Sequence, residues 1–164
     1  MYGQTSFGLS QALRISQGEA KTYITSYFKK FQSVKSYLDS LKELAEEKGY
    51  AETLFGRKRF LPDIKSTNRQ IKAMAERMAI NSPIQGTAAD IIKLAMINIQ
   101  DILHERDLKS KMILQVHDEL IFDVVPEELE TMKVLVVEQM EGAVKLSVPL
   151  RVEMGIGDNW YDLK

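Results

Sequence analysis

Val116-His117-Asp118-Glu119-Leu120 sets an imidazole and two adjacent carboxylates between two apolar runs. Neighbouring carboxylates repel each other, so such a pair needs solvent or a cation. Hard oxygen ligands of this kind suit Mg²⁺, with Mn²⁺ as a substitute, because Mg²⁺ takes one or two carboxylates and completes its shell with water and phosphate oxygens. The second chemically loaded stretch is Arg57-Lys58-Arg59, three consecutive cations beside Phe55-Gly56. Alternation along a strand would put Arg57 and Arg59 on one face and Lys58 on the other. Each stretch also has a plain structural reading, the first as a solvated turn and the second as a solvated strand.

Elements of defined type must hold these residues in place. Lys111–Val116 and Leu120–Val125 are rich in branched residues and of strand length. A tight hairpin joining them puts His117 and Asp118 at its tip. Strict alternation would give Met112, Leu114 and Val116 one face and Leu120, Phe122 and Val124 a matching apolar set. A smaller hairpin is expected from Tyr50–Leu54 and Arg57–Leu61, with Gly56 in the turn and Pro62 closing it.

The helices follow from periodicity and caps. Ser16 and Glu19 have capping-box spacing. Ala20, Tyr23, Ile24, Tyr27, Phe28 and Phe31 then recur at helical period, which marks them as core-facing. A break near Gln32-Ser33 and a stop at Gly49 bound a second helix. A third helix is expected over about residues 68–81, ended by Ser82-Pro83, with Ile84-Gln85-Gly86 as a turn or kink. Thr87–Asp90 would cap a fourth, buried helix with His104 at its C-terminal end. Pro126-Glu127-Glu128 opens an acidic-led helix striped by Leu129, Met132, Val136, Met140 and Ala143, and Leu150–Gly155 alternates as a strand able to join the 111–125 hairpin. The expected class is α+β, helices packed on a small antiparallel sheet.

Composition narrows the function. The chain has 164 residues, 45% hydrophobic and 27% charged, with no cysteine. Disulfides and thiolate metal sites are therefore excluded. No apolar run reaches the ~20 residues of a membrane span, so no membrane partner is expected. Net charge is −1 but unevenly spread. Residues 50–80 hold seven Lys/Arg against three Asp/Glu, net +4, whereas residues 101–164 hold seven against fourteen, net −7. A basic segment and an acidic metal tip in one chain suit a phosphate-rich substrate.

Five stretches in order, YGQTSFGLS, GYAETLFGRKRFLPDI, AERMAINSPIQGTAADIIKLAM, MILQVHDELIFDV and VPLRVEMGIGDNW, resemble the C-terminal part of a family A DNA polymerase of the bacterial polymerase I type. The resemblance covers nearly the whole chain. It implies a partial right-hand polymerase fold, with residues from about 1 to 80 derived from the fingers and residues from about 81 to 164 from the palm. It implies nucleotidyl transfer from a dNTP to a primer 3′-hydroxyl by a two-metal mechanism, in DNA replication and repair. Asp118 resembles the family's second catalytic carboxylate and Glu119 its supporting neighbour, both at the metal. His117 resembles the histidine near the primer end, and Tyr2 the residue beside the templating position and incoming nucleotide. Arg77, Asn81 and Gln85 resemble polar residues that touch template and primer through the minor groove, where acceptors are shared by every base pair. Without the resemblance these three read as a surface charge, a helix C-cap and a turn residue.

The resemblance also implies what must come from elsewhere. The family's first catalytic carboxylate, on motif A, and the fingers Arg and Lys that hold the triphosphate belong upstream of Tyr2. The chain is accordingly expected to be a fragment cut inside the fingers helix, inactive alone. Its expected partners are primer–template DNA, dNTP, the remaining polymerase segments (motif A and thumb) and a second copy of itself. Its expected location is the cytoplasm with the nucleoid, or an organelle. The rival readings are a non-catalytic nucleic-acid-binding module and a structural fragment.

Overall fold

The computed structural model describes residues 5–162, and by internal contacts the chain divides into two units, the first ending at Thr87 and the second beginning at Ala88. The architecture is α+β, as expected.

The first unit begins with helix α1 (Ser6–Leu13), capped by the Thr5 hydroxyl, which accepts from the Gly8 N–H. Helix α2 (Gln17–Lys30) starts on the expected capping box, with both Ser16–Glu19 bonds present. Phe31 breaks the helical path, and α3 (Gln32–Lys48) ends at Gly49, whose φ of 77° is one that glycine adopts without a Cβ clash. Strands β1 (Tyr50–Glu52) and β2 (Lys58–Phe60) pair antiparallel, with Ala51 opposite Arg59. A short 3-10 turn over Pro62–Lys65 leads to helix α4 (Arg69–Glu105), whose first N–H groups are capped by the Asn68 side chain. Ala45, Ala51, Leu61, Ile64, Ala75 and Ala79 form the core of this unit. The aromatic stripe of α2 departs from the core-facing expectation. Tyr23 is 60% exposed, while Tyr27 packs its ring on Phe28 and Phe31. These rings cover one another along the helix instead of filling a shared interior.

The break expected at Ser82-Pro83 and the turn expected at Gln85-Gly86 are not there, because α4 runs through both as one helix of 37 residues. A proline in a helix interior removes one hydrogen bond and crowds the preceding turn, a cost of about 3 kcal/mol. The β1–β2 hairpin packs on this part of the helix. The Leu54 N–H donates to the Thr87 hydroxyl, which donates in turn to the Pro83 carbonyl. Gly86 serves close approach instead of turning the chain. A Cβ there would lie 2.6 Å from Thr53 Cγ2 and 3.2 Å from Arg57 Nη2.

In the second unit, β3 (Lys111–Val116) and β4 (Glu119–Asp123) form the expected hairpin with a two-residue turn at His117-Asp118. Leu120, Phe122 and Val124 pack on a core of Ile99, Leu103, Met132 and Leu135, the last two from helix α5 (Leu129–Glu141). The expected sharing of one face by Met112 and Leu114 fails. Register shifts between them, since Met112 faces Phe122 and Leu114 faces Ile121, leaving Ile113 as an extra residue. Such a bulge reverses the alternation, and Ile113 and Leu114 are both exposed. The strand expected at Leu150–Gly155 is also absent. The Val152 N–H donates instead to the Glu141 carboxylate, and Arg151 lies 3.6 Å from the same side chain. With Val148 and Met154 exposed, the segment has neither a paired edge nor a buried face to hold it as a strand. Among the described residues no helix is long and apolar enough to cross a membrane.

Candidate metal tip and nucleic-acid surface

His117, Asp118 and Glu119 come together at the exposed end of the β3–β4 hairpin. His117 is the first turn residue and takes a φ of 54°. Non-glycine residues rarely adopt that region, and it is a form of local strain that collects at functional positions. The Gln115 side-chain amide donates to the His117 carbonyl and braces the turn. Glu119 opens β4 opposite Val116, so its backbone is fixed in the ladder while Asp118 stands in the turn. The tip is thus two carboxylates and an imidazole in water, on a base that packs into the core through Leu120 and Phe122. Among the described residues no three His, Asp or Glu side chains gather closely enough to hold a metal ion together. The donor chemistry fits a hard divalent cation, with fewer ligands than a complete site needs.

The root of this hairpin carries a cluster that sequence reasoning missed. Glu128 accepts from the Lys109 N–H at 2.9 Å, the Ser110 N–H at 2.9 Å and the Ser110 hydroxyl at 2.6 Å. These donors, led by the Lys109 N–H, hold its carboxyl below the usual carboxylate range. The Ser110 hydroxyl oxygen also accepts from the Val125 N–H. Glu127-Glu128 reads in sequence as an acidic opening of α5, yet the Glu128 side chain caps nothing in its own helix.

The basic residues separate as alternation requires. Arg57 donates to the Gly86 carbonyl at 3.0 Å, and Arg59 reaches the Ser82 hydroxyl at 3.4 Å and Met78 Sδ at 3.5 Å. Lys58 lies on the opposite face, 4.6 Å above the Tyr50 ring. Arg57, Arg59, Ser82 and Gln85 line an open cavity of about 180 Å³. Asn81 is half-buried on α4, and its Oδ1 is buried with no hydrogen-bond partner among the described residues. Arg77, one turn earlier, is exposed. The structure therefore brings Arg57, Arg59 and Gln85 together and sets Lys58 apart. Tyr2 lies outside the described residues.

Comparison with known proteins adds a family. A model described as DNA polymerase family A matches residues 1–162. The chain is 49% identical over 164 residues to a DNA polymerase I of Lactococcus lactis and 51% identical to a DNA polymerase I of Caldicellulosiruptor bescii. It is similar at a TM-score of 0.95 and 46% identity to the POL domain of Pol1 from M. smegmatis, solved in complex with DNA primer-template and dNTP. That match covers 99% of this chain and 29% of the other. The chain spans about a fifth (19%) of the length of the relatives it matches.

Proposed function

Since the chain belongs to DNA polymerase family A, we propose that it forms part of a template-directed DNA polymerase acting in replication and repair, with primer–template DNA and dNTP as its partners. One observation carries this reading. The stretch that resembles the family's carboxylate motif folds as a hairpin tip, with Asp118 in the two-residue turn and Glu119 at the start of β4, exposed to solvent on a core-anchored hairpin, where a primer end and a nucleotide could reach it. In this reading residues up to about 80 belong to the fingers and residues from about 81 to the palm, in a protein working in the cytoplasm at the nucleoid.

Asp118 would hold divalent metal, Mg²⁺ or Mn²⁺, and Glu119 would support it. When bound, a pair of such ions would stabilise the attacking and leaving oxygens as the primer 3′-hydroxyl displaces pyrophosphate from the α-phosphate. His117, exposed at the tip, would lie near the primer end. Asn81 and Gln85 would offer side-chain amides to the minor-groove acceptors common to all base pairs, and Arg77 a cation to the strand. Lys58, Arg57 and Arg59 would contact phosphates through the charge of this segment. Tyr2 would sit at the nucleotide and template position.

Two carboxylates at one tip cannot hold two ions in register, so further ligands would come from other polymerase segments, motif A among them. The 164-residue chain alone is then expected to bind Mn²⁺ weakly, to extend no primer, and to self-associate through the open edges of its hairpins. A Mn²⁺ titration of the chain and its Asp118→Ala variant, followed by water relaxation, tests the metal assignment. Binding should be lost in the variant, and equal binding by both would remove Asp118 from the site. Template-dependent extension by the purified chain, abolished by Asp118→Ala, would show instead that the tip suffices. Light scattering across a concentration series tests self-association, and a monomer throughout would refute it.

A further inference from the structure

We infer that Glu128 is a positioning residue for the His117–Glu119 tip, acting through Ser110 as a clamp across the root of the β3–β4 hairpin. The inference rests for its purpose on the proposed metal role of the tip, and for its geometry on bonds that do not depend on that role.

The hairpin needs such a clamp. Two strands alone are marginal in water, and this pair contains a bulge at Ile113 with exposed Ile113 and Leu114 beside it. A bulge is a place where register can slide, and a slide of one residue turns every side chain beyond it to the other face. The tip is four residues beyond Ile113, about 13 Å along an extended strand. A register error there would displace Asp118 and Glu119 as a pair. The packing of Leu120, Phe122 and Val124 fixes β4 to the core, but β3 has no comparable row of buried side chains.

Glu128 and Ser110 provide what β3 lacks. Ser110 immediately precedes β3 and is 3% exposed. Its hydroxyl accepts from the N–H of Val125, two residues past the end of β4, and donates to Glu128. One hydroxyl therefore closes the open end of the hairpin, tying the two strand roots to each other. The Glu128 carboxylate also takes the N–H groups of Lys109 and Ser110, which aims the chain as it enters β3. Glu128 itself is fixed because α5, which begins at the next residue, buries Met132 and Leu135 in the same core that receives Leu120 and Phe122. The carboxylate forgoes capping its own helix to make these bonds. Three donors on one ionised group are also stronger together than three neutral bonds.

Amide hydrogen exchange on the full 164-residue chain separates this role from general stabilisation. Glu128→Ala should speed exchange in the β3–β4 ladder by about tenfold or more, the scale of a lost bond to a charged group. Exchange in α5 at Met132 and Leu135 should stay as in the parent. Glu128→Gln should fall between, since one oxygen still accepts but the charge is gone. Ser110→Ala, which removes the hydroxyl's bonds to Val125 and Glu128 but leaves the Lys109 and Ser110 N–H bonds to Glu128, should loosen the ladder less, and it decides the matter if Glu128→Ala does not fold. Mn²⁺ affinity should fall several-fold in Glu128→Ala although Asp118 and Glu119 are intact. An unchanged ladder, equal acceleration in ladder and α5, or a loosened ladder with unchanged Mn²⁺ affinity would each overturn the inference. Should the parent chain bind no Mn²⁺, the metal reading is the one that falls, and ladder exchange alone still decides whether Glu128 fixes the tip.

Discussion

The two hairpins use charge in opposite ways. In β1–β2 the arginines, though exposed, are turned onto α4. Arg57 donates to a carbonyl of α4, Arg59 reaches Ser82, and the Leu54 N–H joins Thr87 near Pro83. In β3–β4 the charged tip is turned outward, and the group that fixes it, Glu128, lies at the far end of the strands. The first hairpin supports a helix with its charges. The second is supported so that its charges stay free. Charged residues at hairpins look alike in a sequence, and the partner each one meets decides whether it stabilises the fold or faces a ligand.

The sharpest way to break this contrast is to force the first hairpin off its helix. Gly86→Ala places a methyl group 2.6 Å from Thr53 Cγ2 and against Arg57. The resulting overpacking should cost about 1–3 kcal/mol, offset in part by the better helix propensity of alanine. Urea denaturation of the variant should show a lower midpoint, with the loss of protection concentrated at Ala51, Ala75 and Ala79. A midpoint equal to the parent's would mean that the hairpin–helix contact yields freely.

A smaller effect separates the three cations. Arg57→Ala and Arg59→Ala should each lower stability by about 1 kcal/mol, the usual worth of such bonds. Lys58→Ala should leave stability nearly unchanged. For duplex DNA, Lys58→Ala should weaken binding for all sequences alike and reduce the salt slope by about one. If Lys58→Ala destabilises the fold as much as Arg57→Ala, the two faces of β2 do not divide the roles.

The mildest test is acid. Glu128 has its carboxyl lowered in the fold by the Lys109 N–H, the Ser110 hydroxyl and the Ser110 N–H, with the nearby Lys109 charge adding to them. A depressed carboxyl stabilises the native form above its unfolded value, and that stabilisation is lost as pH falls through the folded value. Ladder exchange in β3–β4, corrected for its intrinsic pH dependence, should therefore accelerate below the ordinary carboxylate range. Glu128→Gln should flatten that limb. In the first unit Glu19, lowered by Ser16, and Glu46, lowered by Lys72, should give a separate acid loss that Glu128→Gln does not touch. A ladder limb that persists in Glu128→Gln would assign it to other groups.

Much of this was legible in the residues because local chemistry fixes it. Ser16 with Glu19 at capping distance, Gly49 at a helix end, and two branched runs around His117-Asp118 each demand one local structure. The alternation of Arg57, Lys58 and Arg59 followed from strand geometry alone. The failures share a cause. Pro83 and Gly86 read as a helix end because alone they would make one. The hairpin lying against α4, absent from any local window, bonds Thr87 and the Gly86 carbonyl and occupies the space that Gly86 leaves open. The spacing of Ile80, Ile84, Ala88 and Ile92 at every fourth residue was the one sequence signal running through them.

What the sequence determined by itself is the first helix caps, the two hairpins with His117-Asp118 at a tip, and family kinship through five ordered stretches. Tertiary structure decided three further things. It placed the bulge at Ile113, so that Leu114 faces water. It turned Glu128 from a helix opener into a clamp on Ser110, 18 residues back in the chain at the entry to β3. It gave Arg57 and Arg59 to a helix and left Lys58 over an aromatic ring. Periodicity records which side chains share a face, but hydrogen-bond partners distant in sequence are chosen only when the chain closes on itself, because a donor binds whichever acceptor packing brings within about 3 Å.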